Sequence, residues 1–132
     1  MSCIFCKIIN GELPSLKVYE DEIVLAFLDI NPVNPGHTLV VPKKHSANFE
    51  EADEETLSQM IKIAKKIGAS LKKNLGAAGY NLQVNNDPAA GQIVPHLHFH
   101  LVPRLENDQL KLWPQRRYKD GEADEVLRKI KI

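Results

Sequence analysis

The chain has 132 residues, 43% of them hydrophobic, and 17 basic residues balance 17 acidic ones to leave no net charge. That length gives one domain over residues 1–132 with room for a core, and the even mixing of charge excludes the basic face that nucleic-acid binding requires. No apolar run approaches the roughly 20 residues of a membrane span, and the N-terminus carries no basic leader with a cleavage site, so a soluble cytoplasmic protein without membrane or nucleic-acid partners is expected.

Cys3 to Asn10 reads as one or two helical turns closed by Gly11 and Pro14, with Ile4, Phe5 and Ile8 on the same or nearby faces. Cys3 and Cys6 have Cys-x-x-Cys spacing, but a dithiol redox motif opens a helix after a strand, and no strand can precede residue 3. A structural disulfide does not suit a chain without export signals. Zinc suits the pair better, yet zinc takes four ligands. The remaining two must be histidines, and His37, His45, His96, His98 and His100 are the candidates. Spacing alone does not choose among them.

Lys17 to Glu20 and Ile23 to Leu28 read as strands joined at Glu20-Asp21-Glu22. Both faces of the second are apolar, which places it inside a sheet. Asp29 follows at its end, where a carboxylate ordinarily forms a turn. Asn31 to Gly36 is a turn cluster, and His37 to Pro42 is the next strand. Asp53 to Leu75 is the strongest helix, with Leu57, Met60, Ile61, Ala64, Ile67, Leu71 and Leu75 spaced by threes and fours. Asp53 is its N-cap, Glu54 and Glu55 occupy the first turn, Lys72 and Lys73 the last, and Gly76 ends it. Tyr80 to Asn85 alternates as a strand. Asn86 to Gln92 is a polar loop leading directly to the histidine-rich stretch. Gly91 lets its backbone come close to a ligand, and Asn85 and Gln92 offer amide donors. Beyond Arg104 the pattern weakens until Glu122 to Ile132, a short helix with Val126, Leu127 and Ile130 on one side.

His96-Leu97-His98-Phe99-His100-Leu101-Val102 sets three of the five histidines on alternate residues. Alternation is the period of a strand, so three imidazoles share one face while Leu97, Phe99 and Leu101 are buried on the other. Same-face neighbours stand about 7 Å apart, close enough to address one anion but not to bond to one another. Such a row costs stability unless its polar atoms are satisfied. It suits either a metal site or histidine chemistry on a phosphate ester. Imidazole is largely neutral at pH 7, so one ring nitrogen can attack phosphorus while the other keeps its proton on an acceptor. The middle ring, His98, is flanked on both sides and is the natural nucleophile.

The stretch 96–102 resembles the motif of the histidine triad (HIT) family of nucleotide hydrolases and transferases. Cys3 to Glu12, Phe27 to Pro32, Gly36 to His45 and Gly91 to His96 are similar to the same family in the same order. The likeness covers about Cys3 to Arg104 and points to the small prokaryotic, Hint-like branch. It implies an α+β fold: an antiparallel β-sheet meander with one long helix packed on it and short N- and C-terminal helices. The core spans about 3–104. A tail over 105–132 contributes to the site or to a homodimer in which two sheets pair. It also implies a structural zinc held by Cys3, Cys6, His45 and His96, with no catalytic water.

The resemblance assigns further roles. His98 matches the nucleophile, His100 a phosphate contact, and Asp29 the acid that accepts hydrogen bonds from the ribose hydroxyls. Ile4, Phe5, Ile8, Phe27 and Ile30 match walls of the nucleobase pocket, and His37 lines it. The polar loop beside the histidine row, rather than the resemblance, puts Asn85, Gly91 and Gln92 at a phosphate cradle, and His96 and Gln92 are counted with His98 and His100 as catalytic residues. Ile93 departs from the pattern, because family members often carry Ser or Thr there to contact the phosphate or leaving group. The implied activity is hydrolysis at the α-phosphate of purine nucleoside phosphoramidates or related mononucleotide derivatives, through a covalent nucleotidyl-histidine. The alternatives are a dinucleoside polyphosphate hydrolase, which the Cys-x-x-Cys pair disfavours, and a nucleotide-binding scaffold with incidental activity. A metal carrier using all three strand histidines is a further one.

Overall fold

Five antiparallel strands make one sheet in the computed structural model of the protein, which describes residues 3–132. Strands β1 (Lys17–Glu20), β2 (Val24–Leu28) and β3 (Thr38–Pro42) run as a meander. Helix α2 (Glu54–Leu75) then crosses to the far edge and delivers β4 (Gly79–Val84). Strand β5 (Phe99–Arg104) returns between β3 and β4, giving the order β1-β2-β3-β5-β4.

The helix forms where its sequence signals place it. The Asp53 carboxylate accepts the Thr56 N–H at 2.8 Å, satisfying one of the free amides of the first turn. Gly76 ends the helix in the left-handed region at φ +77°, with its N–H on the Leu71 carbonyl. The buried stripe is Met60, Ile63, Ala64, Ile67, Gly68 and Leu71. Ile61 and Leu75, expected on that stripe, are exposed, and Ile63 is buried instead. Side chains at 60, 63, 64, 67 and 71 face the sheet together, while Ile61 lies a third of a turn aside. At Gly68 the helix comes so close to β4 that a Cβ would run into the Tyr80 ring.

The sheet buries both faces. Val24, Ala26, Val40, Leu97, Phe99 and Leu101 pack under α2. Leu25, Phe27, Leu39 and Val41 pack on the opposite face with Phe5 from α1 (Ile4–Ile9). At roughly 1.5–3 kcal/mol for each large side chain fully buried, these two layers are the main source of stability. No helix among the described residues is long and apolar enough to cross a membrane. Helix α3 (Glu122–Ile130) buries none of its residues, and Leu127 and Ile130 face solvent. The tail before it is anchored where Arg104 pairs with Asp108 at 2.8 and 3.0 Å.

Candidate active site and metal centre

The triad does not lie wholly in a strand. Strand β5 begins at Phe99, so His96 and His98 precede the ladder and only His100 is within it. The alternation persists nonetheless: Leu97 and Phe99 enter the core under α2, while His98 packs edge-on against Phe5 on the other face, with ring centroids 5.0 Å apart. The ring of His98 comes to 4.8 Å from that of His100, nearer than the roughly 7 Å between same-face backbone positions of a strand. Leu97 is held by the loop after β3, its N–H donating to the Ser46 carbonyl at 2.7 Å.

His96 is fully buried and turns away from the other two rings. Its Nε2 lies 2.9 Å from the Pro42 carbonyl oxygen. A carbonyl only accepts, so Nε2 carries the proton and Nδ1 presents a lone pair. That lone pair stands 3.3 Å from Cys3 Sγ, 3.6 Å from Cys6 Sγ and 3.1 Å from His45 Nδ1, and Cys6 Sγ lies 3.4 Å from His45 Nδ1. The four residues could hold a metal ion. A tetrahedral ion with bonds of about 2.0–2.3 Å sets its ligand atoms roughly 3.3–3.8 Å apart, close to the edges seen here. Burial, then the Cys3 thiol beside it, push the Cys6 thiol pKa up. A divalent cation between them would reverse that and favour the thiolate.

His98 is oriented differently. Its Nδ1 lies 2.8 Å from the His96 carbonyl oxygen. Nδ1 therefore carries the proton and Nε2 is an unprotonated, nucleophilic nitrogen. Burial holds the His98 pKa below its ordinary value, against the opposing pull of that hydrogen bond and of Asp29. Burial, with His98 and His37 nearby, pushes His100 down to about 4. Both rings are neutral at pH 7.

His37, expected to open the next strand, instead ends the turn just before β3; it is buried, with Nε2 3.0 Å from His100 Nδ1 and 3.7 Å from Asp29 Oδ2. Asp29 Oδ1 also accepts the Asn31 N–H at 2.8 Å, so the residue closes its turn as well as facing the histidines. Phe27 meets Phe5 edge to face at 5.7 Å, and Ile8 packs on the same cluster. Ile4, Ile30 and Ile93 are exposed, the last two almost completely. Gly91 adopts φ +91°, a left-handed conformation that ends the 3-10 turn Pro88–Ala90. Asn85 is half-buried beside it, its amide nitrogen 3.7 Å from where a Gly91 Cβ would stand. The Gln92 amide donates to the Ala47 and Val94 carbonyls at 2.7 and 3.0 Å and accepts the Asp87 N–H at 2.7 Å. In this conformation it braces the loop, and neither amide hydrogen is free for a ligand.

A model of the HIT domain matches residues 10–107. The chain belongs to the HIT family. Like the chain as a whole, an uncharacterised HIT-like protein of Methanocaldococcus jannaschii matches over nearly its full length: 56% identity across 98% of each chain. The adenosine 5'-monophosphoramidase of Schizosaccharomyces pombe is 42% identical over 86% of this HIT chain and 84% of its own. The crystal structure of a zinc-bound histidine triad family protein from Mycobacterium smegmatis superposes with a TM-score of 0.80. It is 38% identical, covering 98% of this chain and 92% of that one.

Two contributions to the site carry no side-chain signal in the sequence. They are the main-chain groups of Ser46 and Ala47, which hold the triad loop, and the N–H of Val33, which donates to His37 Nδ1 at 3.1 Å.

Proposed function

We propose that the protein hydrolyses purine nucleoside phosphoramidates or related mononucleotide derivatives at the α-phosphate, through a nucleotidyl group carried on His98. The observation that carries this reading is the His98–His96 carbonyl bond, which leaves Nε2 as a neutral, aimed nucleophile. Nε2 bonds to phosphorus as the bond to the leaving amine breaks, the amine taking a proton from solvent, and positive charge on the ring is stabilised where Nδ1–H meets the carbonyl. Water then attacks phosphorus and gives up a proton to solvent while the bond to Nε2 breaks, which releases the mononucleotide and returns His98 to its neutral form. Membership of the family and the similarity to a named adenosine monophosphoramidase support this class of substrate.

Asp29 is the ribose acceptor, since two carboxylate oxygens suit two vicinal hydroxyls. Phe5, Ile8 and Phe27, with the exposed surfaces of Ile4 and Ile30, form the base wall. Asn85, His100 and the backbone at Gly91 face the phosphate, where prepositioned donors act on developing charge. Cys3, Cys6, His45 and His96 hold zinc. When bound, the ion ties helix α1 to the triad loop and supplies no chemistry to the reaction. The donor set supports zinc, and so does a zinc-bound relative.

The active unit is a homodimer. Strand β4 is an edge of the sheet, and Tyr80, Leu82 and Ile61 leave apolar surface exposed on and beside it, as an interface between two copies would use. Sedimentation should give twice 14.9 kDa.

Trapping tests the chemistry. Incubation with a labelled adenosine phosphoramidate, a denaturing quench at alkaline pH, where a phosphorus–imidazole bond survives, and peptide mass spectrometry without acid should place an adenylyl group on His98. An adduct on another residue, or a folded zinc-loaded protein that releases no AMP, overturns the reading.

A further inference from the structure

Asp29, His37 and His100 bring three ligand-type atoms within 4.8 Å of one another, which invites a second metal site. The proton positions exclude it. The Val33 N–H donates to His37 Nδ1 at 3.1 Å, so that nitrogen carries a lone pair and the ring's single proton sits on Nε2. Nε2 is the atom that would have to bind the metal. The ring is neutral, because burial lowers its pKa and outweighs the pull of Asp29. A protonated Nε2 at 3.0 Å from His100 Nδ1 donates to it. His100 Nδ1 is then an acceptor, and its own proton lies on Nε2. The opposite direction would set an Nδ1–H against the Val33 N–H, donor facing donor. His100 Nε2 is the one buried side-chain nitrogen or oxygen among the described residues without a hydrogen-bond partner. A buried donor left unpaired is destabilising, so it calls for a partner that arrives with the ligand.

We infer that His37 is a positioning residue: the main-chain amide of Val33, acting through His37, fixes His100 as an Nε2–H donor aimed at the phosphate oxygens. The turn between β2 and β3 thereby sets a proton in the catalytic pocket without touching the substrate. That turn is itself closed around His37, whose N–H donates to the Asn34 carbonyl at 3.0 Å and whose carbonyl accepts the Asp29 N–H at 2.9 Å. Free to choose, a neutral imidazole populates both tautomers, and in one of them Nε2 would present a lone pair to an anion. The His37 bond removes that tautomer. The role at the phosphate rests on the hydrolase reading above, whereas the proton placement does not.

Nitrogen-15 NMR of the imidazoles in the ligand-free, zinc-loaded protein reads the tautomer directly, with His100 assigned from the spectrum of His100→Gln. His100 should show an unprotonated, pyridine-type Nδ1 and a protonated, pyrrole-type Nε2. In His37→Leu the two should move toward a tautomer average, and His37→Gln, whose amide can still donate to His100, should restore the original pattern. With adenosine phosphoramidate, kcat should fall roughly ten- to a hundredfold in His37→Leu with KM within about threefold, and recover in His37→Gln. A merely structural role would lower the folded fraction without shifting the nitrogens. A protonated Nδ1 at His100 in the wild type, or a His37→Leu spectrum with His100 unchanged, overturns the inference. So does a changed tautomer with unchanged kcat. The expected nitrogen pattern in a protein that releases no AMP would count against the hydrolase reading and leave the proton placement standing.

Discussion

The candidate metal cluster and the proposed phosphate pocket use the same side chain at alternate positions, yet the rings face their surroundings with different atoms. His96 gives Nε2 to the Pro42 carbonyl and turns a lone pair at Nδ1 toward two thiols. His98 gives Nδ1 to the His96 carbonyl and keeps its lone pair at Nε2. His100 has Nδ1 occupied by His37 and Nε2 without a partner, and in the tautomer inferred above it accepts a hydrogen bond at Nδ1 and carries its N–H at Nε2. The proposed roles of ligand, nucleophile and donor differ by which nitrogen the protein already occupies, not by residue type. The two regions are also joined, because the carbonyl that orients His98 belongs to His96, one of the four candidate metal ligands. Phe5, set between the two cysteines, packs against both His96 and His98.

The largest effect that would separate the regions is loss of the nucleophile. His98→Ala should lower AMP release from adenosine phosphoramidate by about 10⁴-fold or more while keeping its zinc and its melting temperature within a few degrees. Zinc lost along with activity would show that the pocket and the cluster are not separable. Next comes Cys6→Ala, which should abolish stoichiometric zinc measured by elemental analysis. Zinc held at a hundred times its Kd contributes about 2.7 kcal/mol to the folded state, so the variant should melt about 10 °C lower. Activity should fall as well, because α1, Phe5 and the His96 carbonyl lose their anchor. Full activity without the metal would show that the His98 orientation is independent of the cluster.

Much of this was readable in the sequence, and what was not has a common cause. Helix α2 and its caps at Asp53 and Gly76 were legible because both signals are local. The alternation of the triad was legible for the same reason, and it placed Leu97, Phe99 and Leu101 in the core. That β5 starts only at Phe99 was not, since Leu97 and Gln92 are anchored on main-chain groups of Ser46 and Ala47, and any residue has those. The meeting of His37 with His100 depends on β3 and β5 lying side by side, with Leu39 opposite His100. Periodicity within one strand carries no information on that pairing. Gln92 looked like a free amide donor because its three loop partners, at Ala47, Val94 and Asp87, are all main-chain atoms.

A smaller effect distinguishes the pocket's acid from its histidines. Asp29→Asn keeps an oxygen for the Asn31 N–H but replaces one ribose acceptor with a donor. KM for the nucleoside phosphoramidate should rise roughly tenfold, the scale of one hydrogen bond to a charged group. The 2'-deoxy substrate should lose most of its disadvantage in this variant. An unchanged ratio between ribose and deoxyribose substrates would remove Asp29 from sugar recognition.

The smallest effect is on stability, and its sign tells the pocket apart from the carboxylates elsewhere. His100 has a folded-state pKa of about 4 against an ordinary 6.5, with burial the leading cause. Between those values the unfolded chain binds the proton that the folded one refuses. Its stabilising share is therefore complete above 6.5 and lost progressively as pH falls toward about 4. Asp21 acts in a lower window. Burial alone would raise it, but the N–H groups of Val24 and Ile23, with Gln59 and Tyr19, overrule burial and bring it to about 2. Its contribution is present above 3.8 and fades only below that. Melting temperatures of the zinc-loaded wild type and His100→Gln should therefore converge by a few degrees as pH drops from 6.5 toward 4, before Asp21 begins to titrate. Parallel curves across that range would mean that His100 takes up its proton as readily in the folded protein as in the open chain. The pocket would then be wetter than its buried nitrogen implies.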